Sequence, residues 1–155
     1  MRKKYILFIV LSLGVGGLSA LLTRGNMNLY SEITRPPLSP PSILFPIVWT
    51  VLYILMGVGA AMAWNNRSHN LSAARDAIRI FALQLAINFL WSLIFFNLRA
   101  FFFAFIWLIL LWMLIVLMIS RFSLLSVTAG KLQIPYLIWV TFAGYLNLAI
   151  YFLNR

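Results

Sequence analysis

The chain has 155 residues, of which 64% are hydrophobic and only 9% are charged, and its net charge is +10. A water-soluble domain carries roughly a quarter charged residues, so this composition excludes a soluble globule and indicates an integral membrane protein. The sequence contains no cysteine, one histidine and two carboxylates. Disulfides and thiol nucleophiles are therefore excluded, little remains for acid–base catalysis, and we expect no metal site.

Five apolar runs are long enough to cross a ~30 Å hydrocarbon layer. The first, about residues 5–23, also fits a signal peptide, but we favour a retained helix because of its length. The others are expected at about residues 43–64, 78–97, 101–120 and 133–154. The sequence thus predicts an all-α fold: a single integral membrane domain that is a bundle of five transmembrane helices.

The basic residues stand at the ends of the apolar runs, where Lys and Arg anchor membrane helices and set their orientation. We therefore expect the lipid bilayer, and no nucleic acid, as a partner. One side carries Arg2, Lys3, Lys4, Arg67, Arg75, Arg79, Arg121 and Lys131, and the other carries Arg24, Arg35, Arg99 and Arg155. This asymmetry predicts a multi-pass protein of the cell membrane with a cytoplasmic N-terminus.

Residues 24–42 form a proline-rich loop, which we call the lid loop. Its prolines are Pro36, Pro37, Pro40 and Pro41. Each proline lacks a backbone donor, fixes φ and disfavours helix in the residue before it. We expect a stiff, irregular segment with one helical turn around residues 29–33.

Two further loops are predicted. Residues 65–77 are polar and contain His69, which we interpret as a surface residue. Ser72 is expected to cap the third helix, with an ion pair between Asp76 and Arg79 in its first turn. Residues 121–131 are expected to form the last loop, and Pro135 falls in the first turn of the fifth helix, where its missing donor costs nothing.

Three of the predicted helices carry aromatic or amide side chains along one face. In the second helix these are Phe45, Trp49 and Tyr53. In the third they are Gln84, Asn88, Trp91, Ser92 and Phe95, and in the fifth Trp139, Ala143 and Asn147. Spacings of three and four place each set on a single helix face. Polar side chains within membrane helices are costly, so these faces are candidate functional surfaces.

Counting from the lid-loop side at 1.5 Å per residue places Trp49 and Trp91 roughly 9 Å deep. Asn147 and Asn88 come out at about 10 and 13 Å, and Trp139 deeper, at about 22 Å. These depths predict an aromatic-lined chamber beneath the lid loop. For any one of these residues, helix packing is the more common role, but the set together indicates a pocket for a large, flat, hydrophobic ligand.

Three segments resemble the translocator protein family, also called tryptophan-rich sensory proteins or peripheral benzodiazepine receptors. They are YSEITRPPLSPPSILFPIVWTVLYILMG, LAINFLWSLIFF and PYLIWVTFAGYLNL, which follow one another in the chain. The resemblance implies a five-helix bundle, commonly dimeric, that binds porphyrins, haem, sterols and benzodiazepine-type ligands under the first loop. It implies no required cofactor, because porphyrin or haem would be the ligand.

The resemblance also implies particular site residues. Together with Tyr53 and Phe95 from the helix faces, the expected ligand-binding set is Ala20, Tyr30, Pro40, Phe45, Trp49, Tyr53, Asn88, Trp91, Phe95, Trp139, Ala143 and Leu146. Trp49 and Trp139 match tryptophans that bacterial members use in light-dependent oxidative breakdown of protoporphyrin, so they are the candidate catalytic residues.

The chain departs from the family pattern in the lid loop and the fifth helix. Leu29 and Leu38 stand where the family usually has Trp, so the lid loop has two fewer aromatic side chains. The sterol motif of the family aligns with Leu148 and Phe152 in place of its Tyr and Arg. Such motifs are weak predictors in any case, and sterol binding has little support.

Three functions remain open from the sequence. The first is a receptor that senses, sequesters or carries tetrapyrroles, and the alternative is an enzyme that degrades protoporphyrin IX in light. A coupled transporter is less favoured, because the helices show neither intramembrane ionisable residues nor an inverted repeat.

Overall fold

The computed structural model describes residues 1–26 and 28–155; Met27, within the predicted lid loop, lies outside the described residues. The helices are α1 Arg2–Thr23, α2 Leu29–Glu32, α3 Leu44–Asn65, α4 Leu71–Ser92, α5 Phe101–Ser123, α6 Val127–Lys131 and α7 Ile134–Leu153. Five of the described helical segments are long and apolar enough to cross a membrane. The prediction of an all-α, five-span membrane bundle is confirmed.

The bundle is held together by close approaches between particular helix pairs. α3 packs against α1 and α4, and α5 packs against α4 and α7. The α1–α3 contact is tight because α3 carries Gly57, where an added Cβ would lie 2.5 Å from the Ile9 Cα. Ser12 on α1 also donates a hydrogen bond to the Tyr53 carbonyl of α3, at 2.8 Å.

The end of the bundle away from the lid loop has a solid apolar core. Its fully buried side chains come from α3, α4 and α5: Met56, Ala60, Phe81, Leu111, Ile115, Met118 and Phe122. Small residues on α3 let its neighbours approach closely there. This core fixes the relative positions of the helices that continue toward the lid loop.

The prediction that α4 begins at residue 78 was wrong, because α4 begins at Leu71. Its N-cap is Asn70, whose side chain accepts a hydrogen bond from the Ala73 backbone at 3.0 Å. Ser72 therefore does not cap the helix. The polarity that suggested a loop belongs to the start of this helix, where Arg79 and Asp76 form an exposed ion pair at 3.5 Å.

The predicted last loop at residues 121–131 was also wrong. α5 continues to Ser123, and α6 occupies most of the remaining segment. Ser126 starts α6 by accepting a hydrogen bond from the Ala129 backbone at 3.2 Å, a capping signal that the sequence analysis missed. Pro135 does lie in the first turn of α7, as predicted.

The predicted helical turn in the lid loop is present as α2, whose Leu29 is fully buried against Ile94 and Phe95. Leu38, by contrast, is exposed and has a positive φ of 68°. Thus Leu29 and Leu38 have different environments in the lid loop. One side chain anchors the loop, and the other faces outward.

Candidate functional site

A chamber of about 480 Å³ lies beneath the lid loop, partly open to the outside. Its walls come from α1, the lid loop, α3, α4 with the π-helical turn Leu93–Asn97, and α7. It is lined by Gly16, Ser19, Ala20, Thr23, Tyr30, Ser42, Phe45, Pro46, Trp49, Tyr53, Asn88, Trp91, Ser92, Phe95, Phe96, Trp139, Ala143, Leu146, Asn147 and Ile150. None of these side chains carries a charge.

A connected series of aromatic rings runs from the lid loop into the chamber. The Tyr30 and Phe45 ring centroids are 5.2 Å apart, and those of Phe45 and Trp139 are 5.8 Å apart. One and two turns farther along α3, Trp49 and Tyr53 continue the same wall, with centroids 5.7 Å apart. Edge-to-face and offset contacts at these distances are favourable, so the rings support one another around an open space.

The lid loop is held at several points by hydrogen bonds. Tyr30 donates its hydroxyl to the Pro40 carbonyl at 2.6 Å, which closes the loop upon itself. The Asn154 side chain just beyond α7 accepts from the Thr34 amide at 2.8 Å and donates to the Thr34 carbonyl at 3.0 Å. A stiff proline segment with these attachments forms a defined roof.

The floor of the chamber is a buried chain of hydrogen bonds. Asn88 donates its amide to the Tyr136 hydroxyl at 2.8 Å, and Tyr136 donates to Gln84 at 2.7 Å. Tyr53 donates to the Asn88 carbonyl oxygen at a longer 3.4 Å. Each of these four side chains is buried. Because the groups satisfy one another, the membrane interior tolerates them, and they fix the depth at which the chamber ends.

A second amide fixes one wall. Asn147 accepts a hydrogen bond from the Trp91 indole N–H at 3.1 Å and donates to the Phe101 carbonyl at 2.7 Å. The Trp91 ring stacks on Phe95, with centroids 5.2 Å apart. The indole of Trp91 is therefore held flat against the wall, and the polar groups of Asn147 are used within the protein.

Comparison with known proteins identifies the family. The family model described as TspO/MBR matches residues 8–153. The chain belongs to the TspO/MBR family. It is 38% identical to the tryptophan-rich protein TspO of Chlorobaculum tepidum, over 81% of this chain and 78% of that protein. It is 37% identical to TspO of Archaeoglobus fulgidus, over 94% and 92% of the two chains, and 34% identical to the translocator protein of Bos taurus, over 88% and 80%.

In this TspO/MBR family member, the structure brings the predicted ligand-binding residues together with one exception. Ala20, Tyr30, Phe45, Trp49, Tyr53, Asn88, Trp91, Phe95, Trp139, Ala143 and Leu146 all line the chamber. Pro40 does not line it and instead accepts the hydrogen bond of Tyr30. Gln84, assigned to the same face of α4 as Asn88, lies in the floor below the chamber.

The predicted depth of Trp139 was wrong. The helix-end count places Trp139 about 22 Å from the lid-loop side, whereas its ring lies against that of Phe45, near the start of α3. Trp49 correspondingly contacts Tyr136, one turn before Trp139, with centroids 6.2 Å apart. α7 therefore extends past the start of α3, where Asn154 meets the lid loop, and the two helix ends do not mark one level of the bilayer.

Several site residues escaped the sequence analysis. Ser19, Thr23, Ser42, Pro46, Phe96 and Ile150 line the chamber, and Tyr136 holds its floor. Tyr136 precedes Trp139 by three residues, so extending the face of α7 by one turn would have found it. Phe96 follows Ser92 by four residues, so extending that face of α4 by one turn would have found it as well.

The chain offers little for binding a metal. Across residues 1–26 and 28–155, no three His, Cys, Asp or Glu side chains gather in a group that could hold an ion. The chamber itself presents aromatic rings, aliphatic groups, hydroxyls and amides. This chemistry suits a large apolar molecule that needs few hydrogen bonds.

Proposed function

We propose that this TspO/MBR protein is a membrane receptor for porphyrins and other flat hydrophobic ligands, which bind in the chamber beneath the lid loop. It would act in sensing, sequestering or carrying tetrapyrroles. The observation that carries the proposal is the chamber itself. Its volume of about 480 Å³ lies within the roughly 300–1,000 Å³ of small-molecule sites. Relatives named as tryptophan-rich sensory protein and translocator protein agree with such a role.

The lining supports a planar macrocycle as the proposed ligand class. Indole and phenyl rings of Trp49, Trp91 and Trp139 present flat surfaces, and burial of aromatic area is the main source of binding free energy in such a site. The side-chain amides of Asn88 and Asn147 already form hydrogen bonds within the protein. A ligand that itself has few polar groups would therefore leave few of its own groups without a hydrogen-bond partner. A porphyrin or haem would be the ligand and not a resident cofactor.

Titration with protoporphyrin IX tests this proposal. Purified protein in detergent should give saturable quenching of tryptophan fluorescence and a shifted porphyrin absorption band. Trp49→Ala removes a chamber wall and should weaken binding by about tenfold or more, the equivalent of at least 1.4 kcal/mol. Trp112→Ala is the matched control, because Trp112 lies outside the chamber and donates its indole N–H to Thr141. Equal affinities of the Trp49→Ala and unaltered proteins would contradict the proposal.

The second candidate is an enzyme that degrades bound protoporphyrin in light. It is favoured by the position of Trp49 and Trp139 in the chamber wall, because a bound photosensitiser would touch oxidisable indoles. Dioxygen would be the oxidant and the source of the oxygen atoms in the product. Illumination of the complex should then bleach the porphyrin band faster than in detergent alone, and Trp49→Phe and Trp139→Phe should slow the loss.

We also propose that the N-terminus is cytoplasmic and that the protein forms a homodimer in the cell membrane. The charge asymmetry supports the orientation, because Lys3 and Lys4 share one end of the bundle with Arg67 and His69. The lid loop lies at the other end. Cysteine labelling of a Ser68→Cys variant in intact cells tests the orientation, since this chain has no native thiol, and light scattering in detergent tests the dimer.

A further inference from the structure

The chamber has no charged wall, so an acidic ligand cannot place its carboxylates there. Burying a carboxylate without a counter-charge costs several kcal/mol, and the lining contains no Lys, Arg or His. The amides of Asn88 and Asn147 are also already used. A ligand with a flat apolar ring and acidic substituents must therefore keep those substituents at the mouth, under or beside the lid loop.

A cation of the lid loop, Arg35, lies next to a residue that lines the chamber. The guanidinium carbon of Arg35 stands 5.0 Å from the centroid of the Tyr30 ring. Tyr30 lines the chamber and contacts Phe45, and its hydroxyl is held by Pro40. A guanidinium over an aromatic face still presents its N–H groups in its own plane, where they match the two oxygens of a carboxylate.

Arg35 lies over the ring of a residue that lines the chamber. The described residues show no such contact for Arg24, Arg99 or Arg155 at the same end of the bundle, although Arg24 follows the lining residue Thr23 in the chain. Arg99 forms an ion pair with Glu32 at 2.9 Å. The guanidinium of Arg155 lies 5.2 Å from the ring centroid of Phe152, which does not line the chamber. Arg35 makes no ion pair or hydrogen bond to any residue within the described parts of the chain. The guanidinium of Arg35 is therefore unpaired among the described residues, and only the side chain of Tyr30 lies between it and the chamber.

We propose that Arg35 selects ligands by their carboxylate. It binds an acidic substituent at the mouth while the apolar ring system lies in the chamber, so that neutral rings bind less well than their acids. The inference rests on the proposed function, and it assigns to the lid loop a second role besides forming the roof. Tyr30 positions the guanidinium, and the carboxylate remains partly in water.

The test compares protoporphyrin IX, which carries two propionic acid groups, with its neutral dimethyl ester. Both have the same ring, so the ratio of their affinities reports the carboxylates alone. Arg35→Gln should lower the affinity for the acid about three- to tenfold and leave the ester within twofold. Arg35→Lys should retain part of the preference, and 500 mM salt should reduce it in the unaltered protein.

Arg155→Gln is the matched control, since it removes the same charge from the same end of the bundle and should leave the ratio unchanged. An Arg35→Gln variant that binds acid and ester in the original ratio overturns the role of Arg35 while the receptor function stands. An equal loss for both ligands likewise overturns it, because the effect is then structural. Failure of the unaltered protein to bind either compound overturns both proposals.

Discussion

The two ends of the bundle are built by the same helices and differ in what fills the space between them. Near the lid loop, α3 carries Phe45 and Trp49, whose rings border an open chamber. Three turns farther on, α3 carries Met56 and Ala60, which are completely buried. Aromatic residues thus surround an open space near the lid loop, whereas in the solid end small residues such as Ala60 let the helices approach and large ones such as Phe81 and Phe122 fill the interior. The bulky rings of α3 and α7 meet edge to face and hold their backbones apart, whereas small side chains let helices touch.

The boundary between the two ends is polar. Tyr136, Asn88 and Gln84 form their hydrogen-bonded chain where the hollow end meets the solid core. Below that level the buried Gln133 donates its amide to the Leu55 carbonyl at 3.0 Å, whereas its own side-chain oxygen has no partner among the described residues. Above it, the lining offers room for a ligand. Mutations in the solid end should therefore affect stability, and mutations in the hollow end should affect binding.

The largest effect is expected from Gly57→Leu, which places a side chain against the α1 backbone. Even a Cβ at this position would lie 2.5 Å from the Ile9 Cα, and backbone cannot move aside as a side chain can. We expect a loss of stability of about 1–3 kcal/mol or more, measured as a lower melting temperature in detergent. Gly17→Leu is the control, because nothing lies within 4 Å of its added Cβ. Equal melting of the two variants would contradict a tightly closed α1–α3 contact.

A smaller effect, and of a different kind, is expected from Gly16→Ala. The added methyl would lie 2.3 Å from the edge of the Tyr53 ring, which borders the chamber and has space to move into. The protein should keep most of its stability, but the displaced ring should occupy the ligand's place. We expect protoporphyrin affinity to fall roughly tenfold, or about 1.4 kcal/mol.

Gly14→Ala is the control for that experiment, since its methyl meets nothing within 4 Å. A Gly16→Ala protein that melts far below the unaltered protein would show that the hollow end is as tightly packed as the solid one. In that case the contrast between the two ends would not hold.

The sequence predicted the spans and most of the chamber lining, because both depend on local spacing. Phe45, Trp49 and Tyr53 share a face through helical periodicity alone. What spacing could not supply was the offset between helices. Trp139 was placed too deep because the end of α7 was assumed to be level with the start of α3. That offset depends on how the lid loop meets Asn154, a contact between residues 120 positions apart.

The spacing of residues also did not locate the ends of the helices. Asn70 and Ser126 are capping residues, but each stands in a polar stretch that favours a loop by composition. The predicted α4 is therefore too short at its start, and α6 is absent from the prediction. Polarity alone does not separate a loop from a helix that extends beyond the bilayer. Phe96, by contrast, follows the lining residue Ser92 by four residues and is within reach of α-helical spacing.

The smallest effect is expected from Tyr136→Phe, at the boundary between the two ends. The change removes the one hydroxyl that both accepts from Asn88 and donates to Gln84, at 2.8 and 2.7 Å, and keeps the ring that packs against Trp49. Hydrogen bonds between membrane helices contribute about 0.6 kcal/mol on average and up to about 1.7. We expect a loss of stability in that range and a small change in protoporphyrin affinity, because Asn88 loses the partner that orients it. Tyr151→Phe, on the outer side of α7, should change neither. If Tyr136→Phe leaves melting temperature and affinity unchanged, the buried chain does not define the floor, and the chamber must end where the aromatic rings alone close it.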